Sequence, residues 1–156
     1  MTDKIKYLED LNAELAQALG EAIWAFAMIE RLTYSYLRKL SSEPLDELMG
    51  DQQFRPRIKL IRHLVKRLKG QDEDKAVALR YLDRAEELAA TRNLLAHNPW
   101  QTWIDFDESR FKSEIRKTTD EKKTIDLEKV RAFREDAGEV ASTLEYLLGE
   151  LHYPGP

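Results

Sequence analysis

Between residues 4 and 40, apolar side chains return every third or fourth position: Ile5, Leu8, Leu11, Leu15, Leu19, Ala22, Phe26, Ile29, Leu32, Tyr36 and Leu40. That spacing is one stripe along an α-helix, and its length makes a helical framework the first constraint on the fold. Gly20 lies in its path and marks the expected bend or break, since Gly costs about 1 kcal/mol against Ala inside a helix. Ala22–Ile29 is apolar on every side. Such a stretch predicts burial on more than one face, at the centre of a bundle or in a subunit contact.

Further stripes follow, separated by helix-breaking signals. Ser41-Ser42-Glu43-Pro44 stops the first helix and opens a short one through Met49. Arg55-Pro56 starts another, because Pro suits the first helical turn. Its apolar face is Ile58, Ile61, Leu64, Val65 and Leu68, with Gly70 just beyond its end. Asp72 or Asp74 is the expected cap of the next helix, which runs through Ala76, Leu79, Leu82, Ala85, Leu88 and Ala89 to about Leu95 and stops at Asn98-Pro99. From Trp100 the period changes to two: Thr102, Ile104 and Phe106, a polar turn at Asp107-Glu108-Ser109, then Phe111, Ser113 and Ile115. This alternation predicts a β-hairpin. Thr118–Lys123 reads as a charged loop and Asp126 as the cap of a last helix carrying Leu127, Val130, Phe133, Ala137, Val140, Leu144, Leu147 and Leu151. The expectation is an all-α, antiparallel helical bundle over residues 1–151. A small β-hairpin insert at about 100–123 precedes the last helix, and residues 152–156 form a tail.

The 156 residues suit one domain. The longest apolar run, Ala22–Ile29, falls far short of the roughly 18–20 residues that span a bilayer. The polar start Met1-Thr2-Asp3-Lys4 runs straight into a helical pattern, so no signal peptide and a cytoplasmic protein are expected. The absence of cysteine removes disulfides, thiolate catalysis and cysteine-ligated metals together. With 25 basic and 29 acidic side chains the net charge is −4, which argues against bulk electrostatic coating of nucleic acid. Nucleic-acid chemistry would have to live in a local patch.

No Gly-rich phosphate loop, HExxH, GxSxG or EF-hand spacing occurs. Helical bundles build carboxylate metal sites from acids three apart, and Asp83 with Glu86, and Asp136 with Glu139, have that spacing. Both pairs sit among polar neighbours, as a solvated face would, so neither a metal nor a cofactor is expected. The stronger candidate is Thr91-Arg92-Asn93-Leu94-Leu95-Ala96-His97-Asn98-Pro99-Trp100. Arg and His together suffice to cleave RNA without metal. The 2′-hydroxyl attacks its own phosphate, imidazole shuttles protons near neutral pH, and guanidinium stabilises the charge on the phosphorane. Asn93 and His97, four apart, share a helix face, so Asn93 is placed to orient the imidazole. Arg92 and His97, five apart, diverge by about 140°. A twofold axis between two copies would gather both pairs into one cleft. Simpler roles stay open: His97 as a helix C-terminal cap, Arg92 as an ion-pair partner. The bare Arg-to-His spacing also occurs at Arg57 and His63, inside a basic amphipathic helix and without the flanking Asn and Asn-Pro-Trp.

The segment Arg92-Asn93-Leu94-Leu95-Ala96-His97 resembles the R-N-x-x-x-H signature of the HEPN superfamily. The long first helix with its aromatic-rich middle, the motif near a later helix's end, the insert and the closing helix are similar to that architecture. The resemblance implies a metal-independent endoribonuclease of toxin–antitoxin or phage-defence type, acting as a homodimer. Arg92 would stabilise the phosphate, His97 would be the general acid/base, and Asn93 would support them. Family members also include non-catalytic nucleotide-binding or dimerising modules, so the alternative the resemblance implies is such a module with an antitoxin or nucleotidyltransferase partner.

RNA binding is suggested by Arg55, Lys59, Arg62, Lys66 and Lys69, three or four apart, with Arg57 and Arg67 nearby. Such a stripe suits a phosphate backbone, or a solvated face balanced by Asp72, Glu73 and Asp74. Trp100 and Trp103 are placed to stack on bases or, as aromatics after a helix end more often do, to pack inward.

Overall fold

In the computed structural model, which describes residues 2–152, the long stripe folds as one unbroken helix, α1 (Thr2–Lys39). Gly20 does not break it. That position is exposed and a Cβ there would meet nothing within 4 Å, so the helix passes through on the strength of its flanking turns. Ala22, Phe26 and Ile29 are sealed in the core, but Trp24 is 73% exposed. Within the chain the stretch is therefore sealed on one face, with Ile23 and Ala25 packed partly against the core beside it.

The remaining elements are α2 (Leu45–Leu48), α3 (Phe54–Arg67), α4 (Asp72–His97), β1 (Trp100–Asp105), β2 (Arg110–Lys117), β3 (Asp120–Asp126) and α5 (Leu127–His152). His152 belongs to α5, and the rest of the expected tail, 153–156, lies outside the described residues. No helix among the described residues is long and apolar enough to cross a membrane. The α3–α4 reversal uses Gly70 (φ 73°) and Gln71 (φ 54°) in consecutive left-handed conformations. Gln71, not Asp72 or Asp74, is the residue preceding the first turn of α4, and it makes no side-chain cap. Its amide instead donates to the Glu150 carbonyl at 2.6 Å, tying the turn to the end of α5.

The helices are not uniformly antiparallel. Glu30 meets Arg92 and Leu15 meets Trp100, so α4 runs against α1. Gln71 meets Glu150 and Arg84 meets Glu139, so α5 runs against α4. Two reversals return α5 in the direction of α1, as the pairs Glu14–Arg131 and Tyr36–Leu144 confirm. The core lies in this seam: Phe26, Ile29 and Tyr36 of α1 pack with Phe133, Val140 and Leu144 of α5, and with Ile58, Ile61 and Leu82. Tyr36 donates to the Leu144 carbonyl at 2.7 Å, and burial pushes its phenol pKa up.

The insert is a three-stranded antiparallel sheet, β1-β2-β3, rather than a hairpin. The segment expected as a charged loop forms the turn after β2 and much of β3, so the insert reaches Asp126. Glu121, Lys122 and Lys123 are exposed on an edge strand, where charge guards an open ladder and hides the period-two signal. Ile115, opposite both Trp100 and Ile125, is the residue by which the sheet enters the core. Asp126 caps α5 as expected, accepting from the Lys129 amide at 2.9 Å.

Candidate functional site

Along α4 the sealed positions Ala78, Leu82 and Ala85 stop, and none recurs until Leu95. In between, Glu86, Ala89, Ala90, Arg92 and Asn93 line an open cleft of about 760 Å³, with His97 at its edge. Alanines leave volume where larger side chains would fill the gap between helices. The opposite walls are Phe26, Glu30 and Tyr34 of α1, then Gln52, Gln53 and the first turn of α3 with Phe54, Arg55 and Arg57.

Arg92 is held in this cleft. Its guanidinium donates to both oxygens of Glu30, at 3.0 and 3.3 Å, and to Asn93 Oδ1 at 3.1 Å. It also lies 5.7 Å from the Phe26 ring centroid, and its side chain remains 30% exposed. Asn93 therefore contacts the arginine, and the hydrogen bond expected between it and the imidazole is not made. His97 is exposed at the last helical residue and hydrogen-bonds no described protein group. The expected C-terminal cap is made instead by Asn98, which donates to the Leu94 carbonyl at 2.9 Å. Asn98 Oδ1 accepts from the Thr118 amide at 3.0 Å, fastening the β2–β3 turn beside the histidine. A second cleft opens there, bordered by Lys117, Lys122 and Lys123, so His97 forms a ridge between two depressions.

The basic stripe is divided. Arg55 lines the cleft and pairs with Glu86 at 3.0 Å. Arg62 sits in the α3–α4 seam, 2.7 Å from Asp83 and 2.5 Å from Glu86. Burial works against its charge, but the two carboxylates outweigh it and raise the guanidinium pKa. Lys59 and Lys66 on α3, and Lys69 just beyond its end, are exposed and outside the cleft lining. Of the two acid pairs with metal-ligand spacing, Asp83 and Glu86 converge on Arg62, while Glu139 is held by Arg84 and by the Tyr81 hydroxyl. No group of three metal-ligating side chains occurs among the described residues. Trp100 is half-buried and donates to the Leu15 carbonyl at 3.2 Å, whereas Trp103 stays exposed beneath Arg116.

Sequence reasoning missed Glu30, 62 residues from Arg92, and set Arg57 aside. Arg57 is a cleft residue, while His63, its partner in the bare spacing, is exposed and lines no part of it. One signal was present: Phe54 and Tyr34 are aromatics able to cover a guanidinium. The chain matches no protein-family model, no curated protein and no solved structure.

Proposed function

We propose that this chain is a HEPN-like, metal-independent endoribonuclease of the cytoplasm, working as a homodimer in a toxin–antitoxin or phage-defence setting. The observation that carries the reading is that Arg92, Asn93 and His97 all border one open cleft, with the guanidinium anchored and the imidazole uncovered. In the reaction, His97 takes the proton of the 2′-hydroxyl as that oxygen bonds to the adjacent phosphorus. Arg92 neutralises the charge gathering on the non-bridging oxygens, and an imidazolium returns a proton to the departing 5′-oxygen. The products are a 2′,3′-cyclic phosphate and a 5′-hydroxyl, so no water or metal enters the balance. Glu30 and Asn93 would fix the guanidinium before substrate arrives, which is how electrostatic stabilisation acts without reorganisation.

Incubation with RNA in EDTA tests this. Cleavage is expected to persist in EDTA, to peak near neutral pH, and to fall roughly 10²–10³-fold in Arg92→Ala and in His97→Ala. Loss of cleavage in EDTA, or full activity in either variant, would defeat it.

The Glu30–Arg92 pair favours one second reading, a non-catalytic nucleotide-binding or dimerisation module serving an antitoxin or nucleotidyltransferase partner. There the carboxylate serves to neutralise the arginine permanently. That reading predicts an intact dimer and no cleavage by the wild type.

A further inference from the structure

Three guanidiniums and two carboxylates line the cleft, and the carboxylates are already engaged. Glu30 holds Arg92, and Glu86 holds Arg55 and Arg62. Arg57 is the charge left over. It is only 4% exposed, its Nε has no hydrogen-bond partner, and its contacts are two rings: Tyr34, with Cζ 4.2 Å from the centroid, and Phe54 at 5.9 Å. Stacking engages the face of a guanidinium and leaves its edge N–H donors unused. A cation withdrawn from water without a counter-ion is expensive, so a ligand that supplies the missing negative charge binds with a large electrostatic advantage.

We infer that Arg57 is the anchoring cation of a phosphoryl-binding subsite in the cleft between α1, α3 and α4, beside Arg92 and His97. The fork of edge donors suits two oxygens of one tetrahedral phosphoryl group. Gln52 and Gln53, on the same wall, add neutral amide donors, and no free carboxylate opposes the anion. Arg57 is a binding residue that holds a phosphate other than the one being cleaved. The inference rests on the proposed function only in taking this cleft as the substrate cleft.

Two probes separate binding from cleavage and free phosphate from a phosphodiester chain. The first is inorganic phosphate, read as a rise in melting temperature against chloride at equal ionic strength. The second is a labelled single-stranded DNA decamer, which lacks the attacking 2′-hydroxyl, read by fluorescence anisotropy. Phosphate at 100 times its Kd is expected to raise the wild-type melting temperature by roughly 5–10 °C. Arg57→Gln is expected to weaken both probes roughly 10–100-fold, as loss of a charged hydrogen-bonding anchor does. Should that variant fail to fold, Arg57→Lys decides, since a point charge without the fork must bind more weakly than wild type. Wild-type affinity in the folded variant, or binding of neither probe by the wild type, overturns the subsite. Phosphate binding without decamer binding supports it as a site for a free phosphoryl group rather than a DNA-like phosphodiester chain. RNA cleavage with an unchanged KM in Arg57→Gln overturns the subsite and leaves the nuclease standing.

Discussion

Two arginines five residues apart on α3 stand in opposite surroundings. Further along, Arg62 crosses to α4 and meets Asp83 and Glu86, so its charge is compensated although its Nε, like that of Arg57, has no hydrogen-bond partner. Near the start of the helix Arg57 is buried more deeply, against Tyr34 and Phe54, and forms no ion pair among the described residues. One arginine joins two helices; the other stores an uncompensated charge in the wall of a cleft. The scaffold gains only ring contacts from the second arrangement, so the comparison separates what holds α3 in place from what α3 presents to a ligand.

The comparison breaks first at Arg62. Arg62→Ala removes the shared partner of two acids and leaves both side by side on the α4 wall of the seam, with Arg55 remaining only for Glu86. A loss of about 1–3 kcal/mol is expected in urea unfolding, since deleting one member of a partly buried pair strands the other. A change within experimental error would reduce Arg62 to a surface charge. Arg57→Met keeps the alkyl stem and the ring contacts but removes the charge. Without ligand it should stay within about 1 kcal/mol of wild type or gain stability, because an apolar replacement of a buried charge is neutral or favourable. Opposite signs for two arginines on one helix would sharpen the distinction. A large loss at Arg57 would make both structural.

Much of the frame was legible because helical burial repeats in the chain itself. Ile58, Ile61 and Val65 in α3, and Val130, Phe133, Ala137, Val140, Leu144 and Leu147 in α5, are sealed as their spacing requires. β3 was not, because Glu121, Lys122 and Lys123 obey the solubility demands of an edge rather than the period of a buried face. The direction of α5 relative to α1 was also invisible, since periodicity carries no sense of travel. At the candidate site the local pair Arg92 and His97 was readable, being on one helix. Glu30 was not, because its contact exists only once α1 and α4 are aligned, and no local spacing encodes that alignment. Arg57 hid for the same reason: in the sequence it is one of seven cations in a basic helix, and only the approach of Tyr34 sets it apart.

A third arginine gives the smallest effect and calibrates the other two. Arg84, on the α4–α5 face, forms a bidentate pair with Glu139 at 3.0 and 3.2 Å, but both side chains remain substantially exposed. The Arg84 guanidinium, aided by the Tyr81 hydroxyl at 2.8 Å, lowers the Glu139 carboxyl pKa to about 2. A carboxyl more acidic in the folded chain than in the unfolded one stabilises the fold when ionised. Its contribution is therefore complete above the ordinary carboxylate range, near 4.3, and fades as pH falls towards 2. Glu139→Gln should melt slightly below wild type at pH 7, with the gap narrowing from pH 4.5 downwards and closing near pH 2. Solvent screening keeps the effect small, and moderate salt should shrink it further. A gap independent of pH would mean that the amide disturbs packing rather than charge. The exposed pair would then no longer serve as the reference against which the two α3 arginines are read.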